Sequence, residues 1–343
     1  MTTLQSKLLH WYDREARELP WRGTSDPYAI WVSEVMLQQT RVETVVPYYQ
    51  RFLERFPTAR ALADADEDTV LSHWSGLGYY RRARLLHAGV REVVSKYGGH
   101  VPEDPEQRRS LPGIGRYTAG AIGSIAFNRP EPIVDGNVTR VLARLEGIEL
   151  PVGTTAMNKR LWLEAEALVP NERPGDFNQA LMELGATVCT PKQPRCEVCP
   201  LRDDCTAHAE GTVDRLPIPK ARKAPKAVEL VAVVASSGRG ASRRVWLTKQ
   251  TDALFGGLWS VPTSDRSPRE TLRALGLAAR VQPEPFAVVE HTLSHRKLRI
   301  TVHRATAAKG TPTPLLRPFT EAELTEVGTS TLTRKLLGDR LCL

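Results

Sequence analysis

The apolar positions of this chain follow two regimes that change near residue 210. Before that point they recur every three or four residues, the period of a helix that buries one face. Leu4, Leu8, Trp11 and Tyr12 mark an amphipathic N-terminal helix, Thr118, Ile122, Ile125 and Ala126 a second, and Val138, Val141, Leu142 and Leu145 a third. Segment 30–40 (IWVSEVMLQQT) has helical composition with neither Gly nor Pro. After the change, 230–235 is rich in β-formers, and Leu298, Ile300 and Val302 alternate with Arg299, Thr301 and His303 as in a half-buried strand. One helix candidate, 268–275, lies between them. Residues 211–228 hold three prolines and five basic residues against one acidic residue, the composition of an extended interdomain linker. The expectation is a multidomain chain: helical 1–210, linker 211–228, and an α+β domain at 229–343.

A chain of 343 residues has ample material for two cores. Its net charge of +8 and pI near 9.3 lean toward a polyanionic partner. No stretch approaches the roughly 18 consecutive apolar residues of a membrane span, and acidic residues interrupt any secretory h-region, so a soluble intracellular protein is expected. Four of the five cysteines fall within seventeen residues as Cys189-x6-Cys196-x2-Cys199-x5-Cys205. In a reducing compartment such crowding argues for a metal over disulfides, and all-thiolate ligation leaves zinc or an iron–sulfur cluster. Cys342 has no place in this spacing.

Three segments carry candidate chemistry. Leu111-Pro112-Gly113-Ile114-Gly115 reads as a tight turn opening a helix, whose N-terminal N–H groups suit a phosphate. Asp135 follows some twenty residues on, ahead of an apolar-periodic run where it could also serve as an N-cap. Glu34 has Ile30, Trp31, Leu37 and Gln38 three or four positions away, so its helix neighbours are largely apolar; burial of that kind raises a carboxyl pKa toward what a general acid needs. Gly76-Leu77-Gly78-Tyr79-Tyr80 leads into Arg81, Arg82 and Arg84, a glycine turn with apolar and aromatic side chains to wedge between bases and cations to hold phosphates. Lys192, Arg195 and Arg202 stand beside the cysteines, where cations suit the DNA backbone.

These segments together resemble the helix-hairpin-helix DNA glycosylases, and SEVMLQQT (33–40) resembles the catalytic helix of their adenine-specific MutY branch. The resemblance implies an all-α helix-hairpin-helix glycosylase core whose cysteine loop carries a [4Fe-4S] cluster on Cys189, Cys196, Cys199 and Cys205. It implies Glu34 as proton donor and Asp135 as the carboxylate at the sugar, with Tyr117 and Asn137 orienting them. Trp21, Arg22 and Gln179 would line the adenine pocket. Pro112, Gly113 and Gly115 would grip the DNA backbone, and Gln39, Thr40, Leu77 and Tyr79 would meet the base opposite the target. The implied partner is double-stranded DNA with adenine opposite 8-oxoguanine or G, and the implied protein a cytoplasmic, nucleoid-associated bacterial monomer.

The second half resembles a Nudix (MutT-like) domain through 254–259 (LFGGLW) and 291–295 (HTLSH), in which Ser294 and His295 would read 8-oxoguanine; Leu293 replaces the usual aromatic. A Nudix hydrolase needs several carboxylates to hold Mg²⁺, yet in 269–277 (RETLRALGL) Arg273 and Ala274 occupy the positions of both central glutamates, which implies a reader that does not hydrolyse. Two other readings stand beside this one. An endonuclease III-like pyrimidine glycosylase/lyase needs an amine for a Schiff base, where this chain has Tyr117. A non-catalytic DNA-binding protein or a nucleotide hydrolase would leave Glu34 and Asp135 unused.

Overall fold

The computed structural model describes residues 1–220, 224–251, 256–293 and 296–338. Packing divides the chain into two compact units, one of residues 1–53, 58–60 and 88–221 and the other of 54–57, 61–87 and 222–343. Segment 61–87, helical in sequence pattern, thus packs with the strand-rich half.

The first unit is helical. Thr2 opens Thr3–Glu15 with a reciprocal capping box, and Asp26 caps Pro27–Leu37 through Tyr28 N–H, with Pro27 in the first turn where a missing N–H costs nothing. Residues 28–36 are all buried, so Pro27–Leu37 has no solvent face and its one carboxylate is carried inside. Gly136–Leu145 is one-sided instead: Val138, Val141, Leu142 and Leu145 join Leu8, Trp11, Phe177, Leu181 and Leu184 in a single apolar cluster. Pro174–Thr187 approaches that helix closely because position 185 is glycine; a Cβ there would lie 2.7 Å from Asn137 Cβ. Within 211–228 the chain packs on the helical unit at 216–218: Leu216 is 2% exposed, its carbonyl accepts from Arg144 Nε at 2.9 Å, and Ile218 O accepts from Val152 N–H at 2.9 Å.

In the second unit the described strands are β1 (Lys226–Ser237), β2 (Arg244–Lys249), β3 (Trp259–Ser260), β4 (Thr263–Ser264), β5 (Ala278–Val281), β6 (Ala287–Thr292), β7 (Arg296–Lys309) and β8 (Leu316–Phe319). β1 and β7 run parallel at the centre, with β5 and β6 antiparallel to β7, β2 and β4 antiparallel to β1, and β3 and β8 on β2. Ala232 and Val234 of β1 enter one apolar cluster with Leu332 and Leu336, while Val233 and Ala235 enter another with Leu272. Both faces are therefore covered, which is why 230–235 reads as an unbroken apolar run and not an alternation. The helix expected at 268–275 is Pro268–Arg273.

Candidate functional site

A cavity of about 600 Å³ opens in the helical unit between Pro27–Leu37, Arg116–Phe127, the start of Gly136–Leu145 and Pro174–Thr187. Each wall contributes a polar group: Glu34, Tyr117, Asp135 and Gln179 all line it. Glu34 is only 4% exposed. Tyr117 Oη donates to Glu34 Oε2 at 2.5 Å and also contacts Met182 Sδ at 3.3 Å. Burial pushes the Glu34 carboxyl up to about 7; the Tyr117 hydrogen bond opposes this and the negative field of Asp135 adds to it. Burial, with Glu34 beside it, also raises the Tyr117 phenol well above its ordinary range, so it stays a neutral donor. Because Tyr117 occupies Oε2, a proton held by Glu34 sits on Oε1.

Asp135 caps Gly136–Leu145, accepting from Val138 N–H at 2.7 Å, and its other oxygen accepts from Asn137 Nδ2 at 3.1 Å. Arg140 Nη2 donates to Asn137 Oδ1 at 2.9 Å and to Gly185 O at 2.7 Å, which fixes the asparagine that fixes the aspartate. Burial raises the Asp135 carboxyl, partly offset by these hydrogen bonds and by Arg140. The capping and cavity-facing roles coexist in one side chain.

Trp21 is buried, edge-on to Tyr49 at 5.5 Å between centroids, and lines the cavity with Arg22 and Gln179. Sequence reasoning missed Glu183. It is 1% exposed and receives Arg17 Nε and Arg22 Nη2, each at 2.6 Å. Burial alone would raise its carboxyl, but the hydrogen bonds from Arg17 and Arg22 win and hold it below the usual range. Gln179, Met182, Glu183 and Ala186 all line the cavity at i, i+3, i+4 and i+7, so the helical period of 179–186 was the signal available.

Gly113 has φ 81°, a backbone only glycine adopts freely, and Gly115 opens Arg116–Phe127 with no side-chain cap. Gly113, Gly115, Gln39 and Thr40 line the cavity rim, and Gln39 itself sits at φ 59°. Pro112 is half-buried beside them in the turn. Leu77 and Tyr79 belong to the second unit, where Leu77 is 6% exposed and Tyr79 47% exposed. Ser294, His295, Leu254, Phe255 and Cys342 lie outside the described residues.

The [4Fe-4S] expectation is not met. Cys189, Cys196, Cys199 and Cys205 line one small cavity of about 30 Å³ as free thiols, but among the described residues no group of three or more His, Cys, Asp or Glu is placed to hold a metal ion. Two of the sulfurs meet Arg144 instead: Arg144 Nη1 donates to Cys189 Sγ at 3.3 Å, and Cys205 Sγ donates to Arg144 O at 3.4 Å. Burial pushes the Cys199 thiol up to about 11 and raises Cys196 and Cys205, with the neighbouring cysteines adding to each shift. Among the described residues no helix is long and apolar enough to cross a membrane.

Residues 32–164 match the HhH-GPD superfamily base excision DNA repair protein model, 189–205 the iron-sulfur binding domain of endonuclease III, and 232–339 the NUDIX domain. The chain is 36% identical to the adenine DNA glycosylase of Homo sapiens over 98% of its own length and 73% of the relative's. It is 38% identical to that of Mus musculus over 98% and 77%. Among solved structures it is similar to a thermostable thymine-DNA glycosylase, with TM-score 0.55 and 30% identity over 60% of this chain and 95% of that one. An all-α helix-hairpin-helix part with a cysteine-rich loop, a Nudix-fold part after it, and a cavity built around a buried glutamate converge on one conclusion: the chain is a DNA glycosylase and belongs to the adenine DNA glycosylase family.

Proposed function

We propose that this enzyme removes adenine from duplex DNA where it is paired with 8-oxoguanine, and more slowly where it is paired with G, by hydrolysis without strand cleavage. The observation that carries the reading is Glu34, a carboxyl in an apolar helix, open to a cavity large enough for a base and shifted to about 7. Adenine is a poor leaving group as an anion, so it must be protonated as it leaves. Glu34 gives the proton on Oε1 to N7, the C1′–N9 bond breaks with its electron pair going to the base, and an oxocarbenium develops at the sugar. General acid help of this kind contributes about 10²- to 10⁴-fold. The Asp135 carboxylate stabilises the positive sugar, held for that purpose by Val138 N–H and Asn137. Water then adds at C1′ and its proton returns to Glu34.

Trp21, Arg22 and Gln179 form the adenine-side wall, with Arg22 held by Glu183. The Gly113–Gly115 turn and the bare N-terminus of Arg116–Phe127 suit a phosphate of the target strand. Gln39, Thr40, Leu77 and Tyr79 meet the opposite base, and Ser294 and His295 read its oxidation. Hydrolysis, as opposed to lyase chemistry, is favoured by Tyr117: a phenol hydrogen-bonded to Glu34 forms no Schiff base. The test is single-turnover adenine release by Glu34→Gln and Asp135→Asn. Each is expected to lose release while retaining duplex binding in a gel shift; near-normal release by either would remove that residue from the mechanism.

A further inference from the structure

In the second unit the Gly76–Tyr79 turn is tied to the sheet by a short chain of hydrogen bonds. Tyr80 Oη accepts from Gly76 N–H at 3.1 Å and donates to Thr329 O at 3.0 Å. Ser75 Oγ donates to the same carbonyl at 2.8 Å and accepts from Arg334 Nη2 at 2.8 Å. Thr329 in turn is seated on the sheet, bridged to Trp259 of β3, whose N–H donates to Gly328 O at 2.9 Å. Ser75, Tyr80 and Thr329 are all buried, so these bonds exchange little with water. On its other side the turn is closed by Trp74 Nε1 and Arg82 Nη2, both donating to Gly78 O at 3.2 Å.

The turn needs such support. Gly76, Gly78 and Tyr79 have φ values of 109°, 74° and 49°, and a tyrosine in the left-handed region is held there only where its surroundings over-determine it. Ion pairing of Lys249 on β2 with Asp68 at 2.8 Å, and a Gly257 whose Cβ would lie 2.9 Å from Leu71, press the same helical segment onto the sheet.

We infer that Ser75, Tyr80, Thr329 and Arg334 are positioning residues for recognition of the opposite base: a lock through which the strand-rich part of the unit sets the conformation of the Gly76–Tyr79 turn. The inference rests on the reading that this turn meets DNA opposite the target adenine. Its consequence is that opposite-base recognition depends on residues outside the turn itself, because the shape of the turn is transmitted from Trp259 through Thr329 to Gly76.

The test uses the full chain and a duplex that is not a substrate: a tetrahydrofuran abasic analogue opposite 8-oxoguanine, with fluorescent 2-aminopurine as the 3′ neighbour of the 8-oxoguanine. Binding by the wild-type protein is expected to unstack that step and raise the fluorescence. Tyr80→Phe and Arg334→Met are each expected to cut the enhancement at saturation by about half or more with an unchanged thermal midpoint; Arg334 is exposed, so its replacement leaves the fold intact should Tyr80→Phe disturb it. Full enhancement in both variants, with loss of it in Tyr79→Ala, overturns the lock alone. Full enhancement in Tyr79→Ala overturns the reading of the turn on which the lock rests.

Discussion

Replacing Tyr117 with phenylalanine isolates the physical origin of the acid. The hydroxyl lost is the donor to Glu34 Oε2 at 2.5 Å, and it favours the ionised form of a carboxyl that burial has raised to about 7. A hydrogen bond to a charged group contributes about 1.5–3 kcal/mol, and each pH unit corresponds to about 1.4 kcal/mol. The variant should therefore titrate about one to two pH units above wild type. Glu34 acts when protonated, so the base-release rate falls as pH rises through its pKa. The descending limb of the profile should move from near 7 in wild type to about 8 or 9 in Tyr117→Phe. The assay is single-turnover release with enzyme in excess over an adenine:8-oxoguanine duplex, between about pH 5 and pH 9.5, strand breaks being developed with alkali after quenching. The height of the plateau can fall because the phenol also orients Glu34; the position of the limb decides. A limb that stays near 7, or moves lower, would refute the assignment of Tyr117 as the donor that holds Glu34 down.

Three further outcomes are expected. Glu34 has a folded pKa raised from 4.5 to about 7, so its contribution to stability is intact below the unfolded value and is lost as pH rises through the folded one. Glu34→Gln should stabilise the protein at pH 8 by up to about 3 kcal/mol and at pH 5 by less than about 1 kcal/mol, read by denaturant unfolding at both pH values. Gly185→Ala puts a Cβ 2.7 Å from that of Asn137; the overpacking should cost about 1–3 kcal/mol in thermal unfolding and, by displacing Asn137 from Asp135, depress base release more than duplex binding. Incubation with nucleoside triphosphates and Mg²⁺ should release neither pyrophosphate nor orthophosphate, because Glu270, the one carboxylate of Pro268–Arg273, caps its own helix through Ser267 N–H and Oγ.

What the sequence disclosed was local. An apolar helix with one glutamate, two glycines before a periodic run, and an aspartate before another gave Pro27–Leu37, Arg116–Phe127 and Gly136–Leu145 their places, because period and capping act over a few residues. What it hid was long-range. Tyr117 reaches Glu34 across 83 positions and Arg22 reaches Glu183 across 161, and no local pattern announces either pairing. The cysteine spacing argued for a four-thiolate site, yet spacing says nothing of where Arg144 sends its guanidinium, and that group lies against Cys189. Segment 61–87 has helical composition, but its partners, Thr329 and Arg334 among them, come from the far end of the chain. Residues 211–228 looked like a linker by composition, and only the packing of Leu216 exposes the first part of it as a strap on the helical unit.

The central claim is most directly tested by single-turnover base release from four duplexes: adenine opposite 8-oxoguanine, adenine opposite G, adenine opposite T, and an oxidised pyrimidine opposite G. The account predicts fast release of adenine opposite 8-oxoguanine, slower release opposite G and none from the other two, with no strand cleavage before alkali. Release of the oxidised pyrimidine, or a covalent enzyme–DNA product in high yield on borohydride trapping, would contradict it.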